Sequence, residues 1–264
     1  MRLLVVEDSA INRMVVSKML DRLGIVYDLA DDGAQALAMF RSRHYGMVLT
    51  DFHMPGMDGV TLTRIIRAGR AGAGVPIVAL TADVMPETAA LCASVGMQGY
   101  LTKPVSLDVL DDAIAQHLPR ALELRQPVDE VSTAAPERPA PQPASQILDT
   151  AVLGEIFGGL DDEAMALLND FRATTESRLS GLQATLADGD AEQGRGHAHT
   201  ARGTARSVGA NALAEVFGAI DDALSEQDMA LARHLAERAV KQLEVFRELL
   251  SELQARPRPT GGTE

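Results

Sequence analysis

The sequence predicts two folded units in series: a doubly wound α/β unit on a five-stranded parallel sheet, then an all-α helical bundle. Three observations carry this. Over residues 1 to about 120, short apolar runs alternate with stretches of helical periodicity, the signature of βαβ units. From Gln126 to Gln146 the composition changes, and five of the twelve prolines fall there among Ala, Ser, Gln and Glu. Such a segment has too little apolar surface to bury and reads as a solvated, partly extended linker. Beyond it, Ile147 to about Arg256 holds helical patterns with short breaks and no convincing strand. The expected division is 1–120 for the α/β unit, 121–146 for the Pro/Ala-rich linker, 147–256 for the bundle and 257–264 for a disordered tail.

In chain order, Leu3-Leu4-Val5-Val6 is the first strand, and Val16, Met19, Leu20 and Leu23 place one apolar face on the helix after it. Gly24 closes that helix and leads to a strand at Val26–Ala30. Asp31-Asp32-Gly33 is a turn, and Ala34 to Phe40 reads as helix. Met47-Val48-Leu49 is a buried strand running into Thr50-Asp51, and Ile77–Leu80 and Gly99–Thr102 are the last two strands. The stretch Gly69–Gly74 lacks a Gly-Lys-Ser/Thr ending and precedes a strand, so it reads as a flexible surface loop rather than a phosphate loop. In the second unit, helices are expected over Ile147–Phe157, Asp162–Leu186, Asp190–Ser207, Asn211–Ser225 and Met229–Gln254, with breaks at Gly158-Gly159, Asp188-Gly189-Asp190 and Gly209.

Composition narrows the function. The 264 residues carry a formal net charge of −13 and offer no basic stripe, which argues against nucleic acid as a partner and for proteins and small ions. Cys92 is the single cysteine, so neither an internal disulfide nor a thiolate metal cluster is available, and a reducing cytoplasm fits. No apolar run reaches the length of about 18 residues that a membrane span needs, and no signal peptide opens the chain. Met1 lies almost on the first strand, which suits a complete small protein or a piece of a larger one.

The strand ends carry the chemistry. In a parallel sheet they line the carboxyl edge, where open α/β folds place ligands. Glu7 and Asp8 follow the first strand, Asp51 ends the third, Thr81 follows the fourth, and Lys103-Pro104 follows the fifth. Three carboxylates, a hydroxyl and an ammonium converging on one edge could bind a divalent cation and a phosphoryl group.

The pair Glu7-Asp8, the run Asp51-x-x-Met54-Pro55-x-Met57-Asp58-Gly59, Thr81-Ala82 and Lys103-Pro104 resemble, in order and spacing, the receiver domain of two-component response regulators. Asn12-Arg13 is similar to the subgroup found in hybrid histidine kinases. The resemblance implies a flavodoxin-like fold and Asp51 as phosphoacceptor. It also implies Mg²⁺ held by Glu7, Asp8, Asp51 and the backbone carbonyl of His53, phosphoryl oxygens held by Thr81 and Lys103, and Tyr100 as the switch aromatic.

In the bundle, the stretch from Ala198 to Ala210 (AHTARGTARSVGA) resembles the signature of histidine phosphotransfer (HPt) domains, with His199 as the implied phosphoacceptor. On a helix His199, Arg202, Gly203 and Arg206 share a face, while Ala198, Ala201, Ala205 and Val208 share the adjacent one and can pack inward. The first set presents an imidazole with cationic neighbours and a glycine that leaves space for a docking partner. His197 points to a different side and has Thr200 and Ala201 where the cation and glycine should stand. Arg202 occupies the family's usual Lys position, and Gly194 and Gly196 weaken the helix by about 1 kcal/mol each relative to Ala.

These features imply a phosphorelay protein: Asp51 takes a phosphoryl group from a sensor histidine kinase, and His199 exchanges it with a receiver aspartate of a downstream response regulator. The same chemistry suits the C-terminal receiver–HPt portion of a membrane hybrid kinase. A phosphate sink or an interaction scaffold is the other alternative. A haloacid-dehalogenase-type phosphatase needs a second Asp where this chain has His53. No ATP-binding kinase motif is present. A linker of about twenty residues has an r.m.s. span near 25 Å, enough to allow transfer between Asp51 and His199 within one chain.

Overall fold

The computed structural model describes residues 1–69, 72–81, 86–118 and 147–255. The expected linker and tail lie outside the described residues. The chain divides into two compact units, Met1–Gln142 and Pro143–Glu264.

The first unit runs β1 (Leu3–Val6), α1 (Ala10–Arg22), β2 (Tyr27–Ala30), α2 (Gly33–Ser42), β3 (Met47–Asp51), α3 (Gly59–Ala68), β4 (Ile77–Thr81), α4 (Pro86–Val95), β5 (Gly99–Thr102) and α5 (Leu107–His117). All neighbouring strands are parallel, in the order β2-β1-β3-β4-β5. The apolar runs are the strands because they are buried on both faces: β1, β3 and β4 are buried throughout. The second strand begins at Tyr27 rather than Val26, which is half exposed. Register brings the strand ends level: Val6 pairs with Thr50, Asp51 with Leu80, and Thr81 with Thr102. The residues just past each end therefore meet along one edge.

The helices start where short polar side chains accept from exposed amides. Ser9 accepts from the Asn12 amide, Asp32 from Gln35, Asp58 from Thr61 and Ser106 from Val109. Asp58, part of the motif around Asp51, is thus the cap of α3. Gly59 begins α3 against the end of β3, and a Cβ there would collide with the Asp51 carbonyl oxygen. The described part of the Gly69–Gly74 stretch is tied down: the Arg67 guanidinium donates to the carbonyls of Gly72, Val75 and Gly96.

The second unit holds α6 (Thr150–Phe157), α7 (Asp162–Asp188), α8 (Ala191–Ser207), α9 (Asn211–Ser225) and α10 (Met229–Ala255). The first of these begins at Thr150 instead of Ile147, since Asp149 caps it and accepts from the Ala151 amide. The Asp149 amide in turn donates to the carbonyl of Gly209, whose φ of +78° and tight approach to Asp149 leave no room for a side chain. Leu167, Leu168, Phe171, Leu182, Phe217, Ile220, Leu224 and Phe246 form the centre of the bundle. Phe171 on α7 and Phe246 on α10 meet edge to face, centroids 5.3 Å apart.

The α8 helix packs against α7 and α9 through small residues, Ala198, Ala201 and Ala205. Gly194 belongs to this contact: a Cβ there would come within 3.1 Å of Leu224 and 3.4 Å of Thr185. The glycine that lowers helix propensity therefore lets α8 lie close to its neighbours.

Phe246→Ala is expected to cost the bundle about 3–5 kcal/mol through the cavity left beside Phe171. Denaturant unfolding followed by helical circular dichroism checks this, and a loss under about 1 kcal/mol would contradict the packing described.

Candidate functional site

At the carboxyl edge of the sheet, Glu7 is fully buried, and Asp51 and Lys103 are nearly so, at 8% and 9% exposure. The Lys103 ammonium lies 2.6 Å from Glu7 Oε2 and 2.6 Å from Asp51 Oδ2. Glu7 Oε1 accepts from the Asn12 side-chain amide at 2.9 Å and the Ser9 amide at 3.3 Å. Arg13 donates to the carbonyls of Glu7 and Asp8 at 2.6 and 2.9 Å, fixing the backbone that aims both carboxylates. The His53 amide donates to Asp51 Oδ1 at 3.3 Å, and the His53 side chain is exposed beyond it. Thr81 is buried, and its carbonyl accepts from the Lys103 amide at 2.7 Å, which joins the ends of β4 and β5.

Charge and burial oppose each other here. Burial pushes the proton affinity of Glu7 up and the Asp51 charge adds to it, while Lys103 pulls it down without cancelling the rise. For Lys103, burial alone would lower the pKa, but the Glu7 and Asp51 carboxylates outweigh it and hold the ammonium well above its ordinary value. One cation thus serves two buried anions, with Asp8 a third beside them. Glu7, Asp8 and Asp51 each offer an oxygen, and those oxygens lie within 4.8 Å of one another. An all-oxygen set of this kind fits a hard divalent cation.

Of the residues expected at this edge, the structure brings Glu7, Asp8, Asp51 and Lys103 together. Tyr100 sits on β5, opposite Ala79 and partly buried against the apolar cluster that includes Ile77 and Val95. The sequence reading gave Asn12 and Arg13 no role; the structure makes both of them supports of the acidic pair.

In the bundle, His199 lies on α8 with its side chain 23% exposed, and its Nδ1 is 3.2 Å from Asp221 Oδ2 on α9. The other carboxylate oxygen accepts from Arg195 Nε at 3.1 Å. Burial pushes the Asp221 carboxyl up, but hydrogen bonds from His199 and Arg195 outweigh that and hold it below the usual carboxylate range. Asp221 and Arg195 are the functional candidates that sequence reasoning missed. Their signals were present: Arg195 stands one turn before His199, and Asp221 is an acid on the buried stripe Ala214, Phe217, Gly218 of α9. His197 turns elsewhere, toward Gly181 on α7. Gly203 is one turn past His199, and a Cβ there would meet nothing within 4 Å.

Comparison with known proteins agrees with both halves. Residues 3–115 match the family described as response regulator receiver domain, and residues 166–256 match the Hpt domain. The chain is 31% identical over 226 residues to sensor histidine kinase AruS of Pseudomonas aeruginosa, covering 84% of this chain and 21% of that protein. It is 32% identical over 234 residues to virulence sensor protein BvgS of Bordetella pertussis, covering 84% of this chain and 18% of that protein. The chain therefore spans about a fifth of the length of these relatives. Among solved structures, the receiver domain of a sensor histidine kinase from Pseudomonas aeruginosa PAO1, with magnesium in its active site cleft, is 36% identical, covers 44% of this chain and 95% of that one, and gives a TM-score of 0.42.

Lys103→Met would leave Glu7 and Asp51 buried without their cation and is expected to cost about 3–5 kcal/mol at neutral pH. The pH dependence follows from Glu7. Its folded pKa already lies above the unfolded value of 4.5 and rises further without Lys103. Folding then takes up a proton, so the variant regains stability relative to the unmodified chain as pH falls from neutrality toward the unfolded carboxyl value of 4.5. Denaturant midpoints across that range check it, and a deficit independent of pH would contradict the charge account.

Proposed function

The chain joins a response regulator receiver domain to an Hpt domain, and from that premise we propose that it relays phosphoryl groups between Asp51 and His199 as its two acceptor sites. The observation that supports this most is the pairing of a cation-backed carboxylate at one site with a carboxylate-backed imidazole at the other. The proposed limits are 1–120 for the receiver, 121–146 for the linker and 147–256 for the Hpt unit.

At the receiver, Asp51 is the nucleophile: a carboxylate oxygen attacks phosphorus as the bond to the donor imidazole nitrogen breaks, giving an aspartyl phosphate and a free imidazole. Phosphoryl transfer depends chiefly on positioning and charge neutralisation. Lys103, already on Asp51, would turn to the phosphoryl oxygens, and the Thr81 hydroxyl would donate to them. Glu7, Asp8, Asp51 and the His53 carbonyl would hold Mg²⁺, which when bound supplies positive charge for the oxygens in flight. Tyr100 is the proposed aromatic that reports the modified state.

At the Hpt unit, an ionised Asp221 accepts from Nδ1–H of His199, which leaves the lone pair on Nε2. Nε2 then attacks the phosphorus of an aspartyl phosphate and the acyl oxygen leaves as carboxylate. Arg195 engages the second Asp221 oxygen and keeps the carboxylate in place. Arg202, with Gly203 beside it, would steady the phosphoryl charge and admit the partner.

The proposed donor is a sensor histidine kinase and the proposed recipient a receiver domain of a downstream regulator. Whether the kinase is joined to this chain or separate leaves the chemistry unchanged. Among the described residues no helix is long and apolar enough to cross a membrane, and the cytoplasm, where Cys92 stays reduced, is the proposed compartment.

With a phosphorylated sensor kinase and Mg²⁺, Asp51→Asn is expected to lose aspartyl phosphate, while His199→Gln loses phosphohistidine and keeps Asp51 labelling. His197→Gln should behave as the unmodified chain. Loss of phosphohistidine in His197→Gln, with His199→Gln still labelled, would overturn the assignment. Asp221→Ala should slow transfer to His199 by at least about tenfold and shift its ring from the Nδ1–H to the Nε2–H tautomer in nitrogen NMR. An unchanged tautomer would remove Asp221 from the mechanism.

A further inference from the structure

Gly218 lies inside α9, is buried, and has no turn or positive φ to explain it. Glycine in a helix interior is unfavourable relative to alanine, so something else must hold it there. What faces it is Arg202: a Cβ built on Gly218 would lie 3.3 Å from Arg202 Nε, 3.5 Å from Cδ and 3.6 Å from Cζ. The Arg202 side chain thus crosses from α8 onto α9, with the root of its guanidinium over the bare backbone at Gly218. The nearest of these contacts is tighter than a side chain carbon ordinarily makes, so any residue larger than glycine must displace the Arg202 side chain by a few tenths of an ångström.

We propose that Gly218 is a positioning residue for phosphotransfer, a shelf that holds the Arg202 guanidinium at the height of the His199 ring. This rests on the reading of His199 as an acceptor. Arg202 is three residues past His199, on the same side of α8, and Gly218 is three residues before Asp221 on α9. The two helices therefore each supply one group that touches the imidazole or its phosphoryl partner and one that sets its place. A guanidinium is a planar, broad fork whose donors are useful only in a fixed plane, whereas an ammonium on a flexible stem acts as a point charge and tolerates displacement. The shelf is accordingly needed for Arg202 and would not be needed for a lysine. The bundle as a whole is acidic, with nine Lys and Arg against nineteen Asp and Glu over residues 147–255, yet α8 has Arg195, Arg202 and Arg206 against Glu192 alone. The fixed cation is thus part of a local basic face in an acidic unit.

The test compares transfer from a phosphorylated receiver domain to His199 in four full-length chains: unmodified, Gly218→Ala, Arg202→Lys and the double variant, each with its thermal unfolding recorded. Gly218→Ala is expected to keep or raise the melting temperature while slowing transfer on the order of tenfold, in the phosphoryl-transfer step rather than in the concentration at half-saturation. In the Arg202→Lys background the same alanine should change the rate less than about twofold. Full-rate transfer by Gly218→Ala, or an equal loss in both backgrounds, would overturn the shelf. Failure of the unmodified chain to form phosphohistidine at His199 would instead count against the phosphorelay reading and the shelf together.

Discussion

Two buried carboxylates share one ammonium at the edge of the sheet, and much of the first unit is arranged to make that tolerable. An unpaired charge inside a protein is expensive, and even a paired one rarely stabilises a fold. Lys103 bridges Glu7 and Asp51, the Asn12 amide and Ser9 amide occupy the remaining Glu7 oxygen, and Arg13 holds the backbone of the acidic pair. Asp8 adds a third carboxylate, its oxygen within 4.8 Å of theirs. The site is thus left rich in negative charge by construction, which suits a place where a divalent cation and a phosphoryl group meet.

The bundle solves the opposite problem. Its proposed acceptor is an imidazole, one of whose nitrogens is turned to a carboxylate on the neighbouring helix. Asp221 fixes Nδ1, Arg195 fixes Asp221, and small residues on α8 bring the helix near enough to α9 for these contacts to form. Glycines recur at such places, each for a different reason: Gly194 admits Leu224, Gly209 admits Asp149, and Gly218 admits Arg202.

Most of the architecture was legible because it rests on local physics. Apolar runs of four or five residues could be read as buried strands, and the Ala-rich stripe of α8 as an inward face. Boundaries slipped where a cap decided them, as at Asp149, which sets the start of α6 at Thr150. The convergence of Glu7, Asp8, Asp51 and Lys103 was legible from the strand ends, since topology alone levels them at one edge. What could not be read was the pairing across long separations. Nothing near Lys103 in the chain says that it will bond Glu7, 96 residues away, as well as Asp51. Nor does the segment around His199 announce Asp221, which is 22 residues on and on another helix. An acid on the buried stripe of α9 was the available clue, and it carries weight only once that stripe is known to face α8.

The central claim is that one chain carries two phosphoryl acceptors of different chemistry. It is tested most directly by the chemical stability of phosphate on the full-length protein after incubation with a phosphorylated kinase and Mg²⁺. The account predicts two populations: one labile to hydroxylamine and base, as an acyl phosphate is, and one stable to base but lost in acid, as a phosphoramidate is. A single population of either kind, with both sites intact, would contradict it.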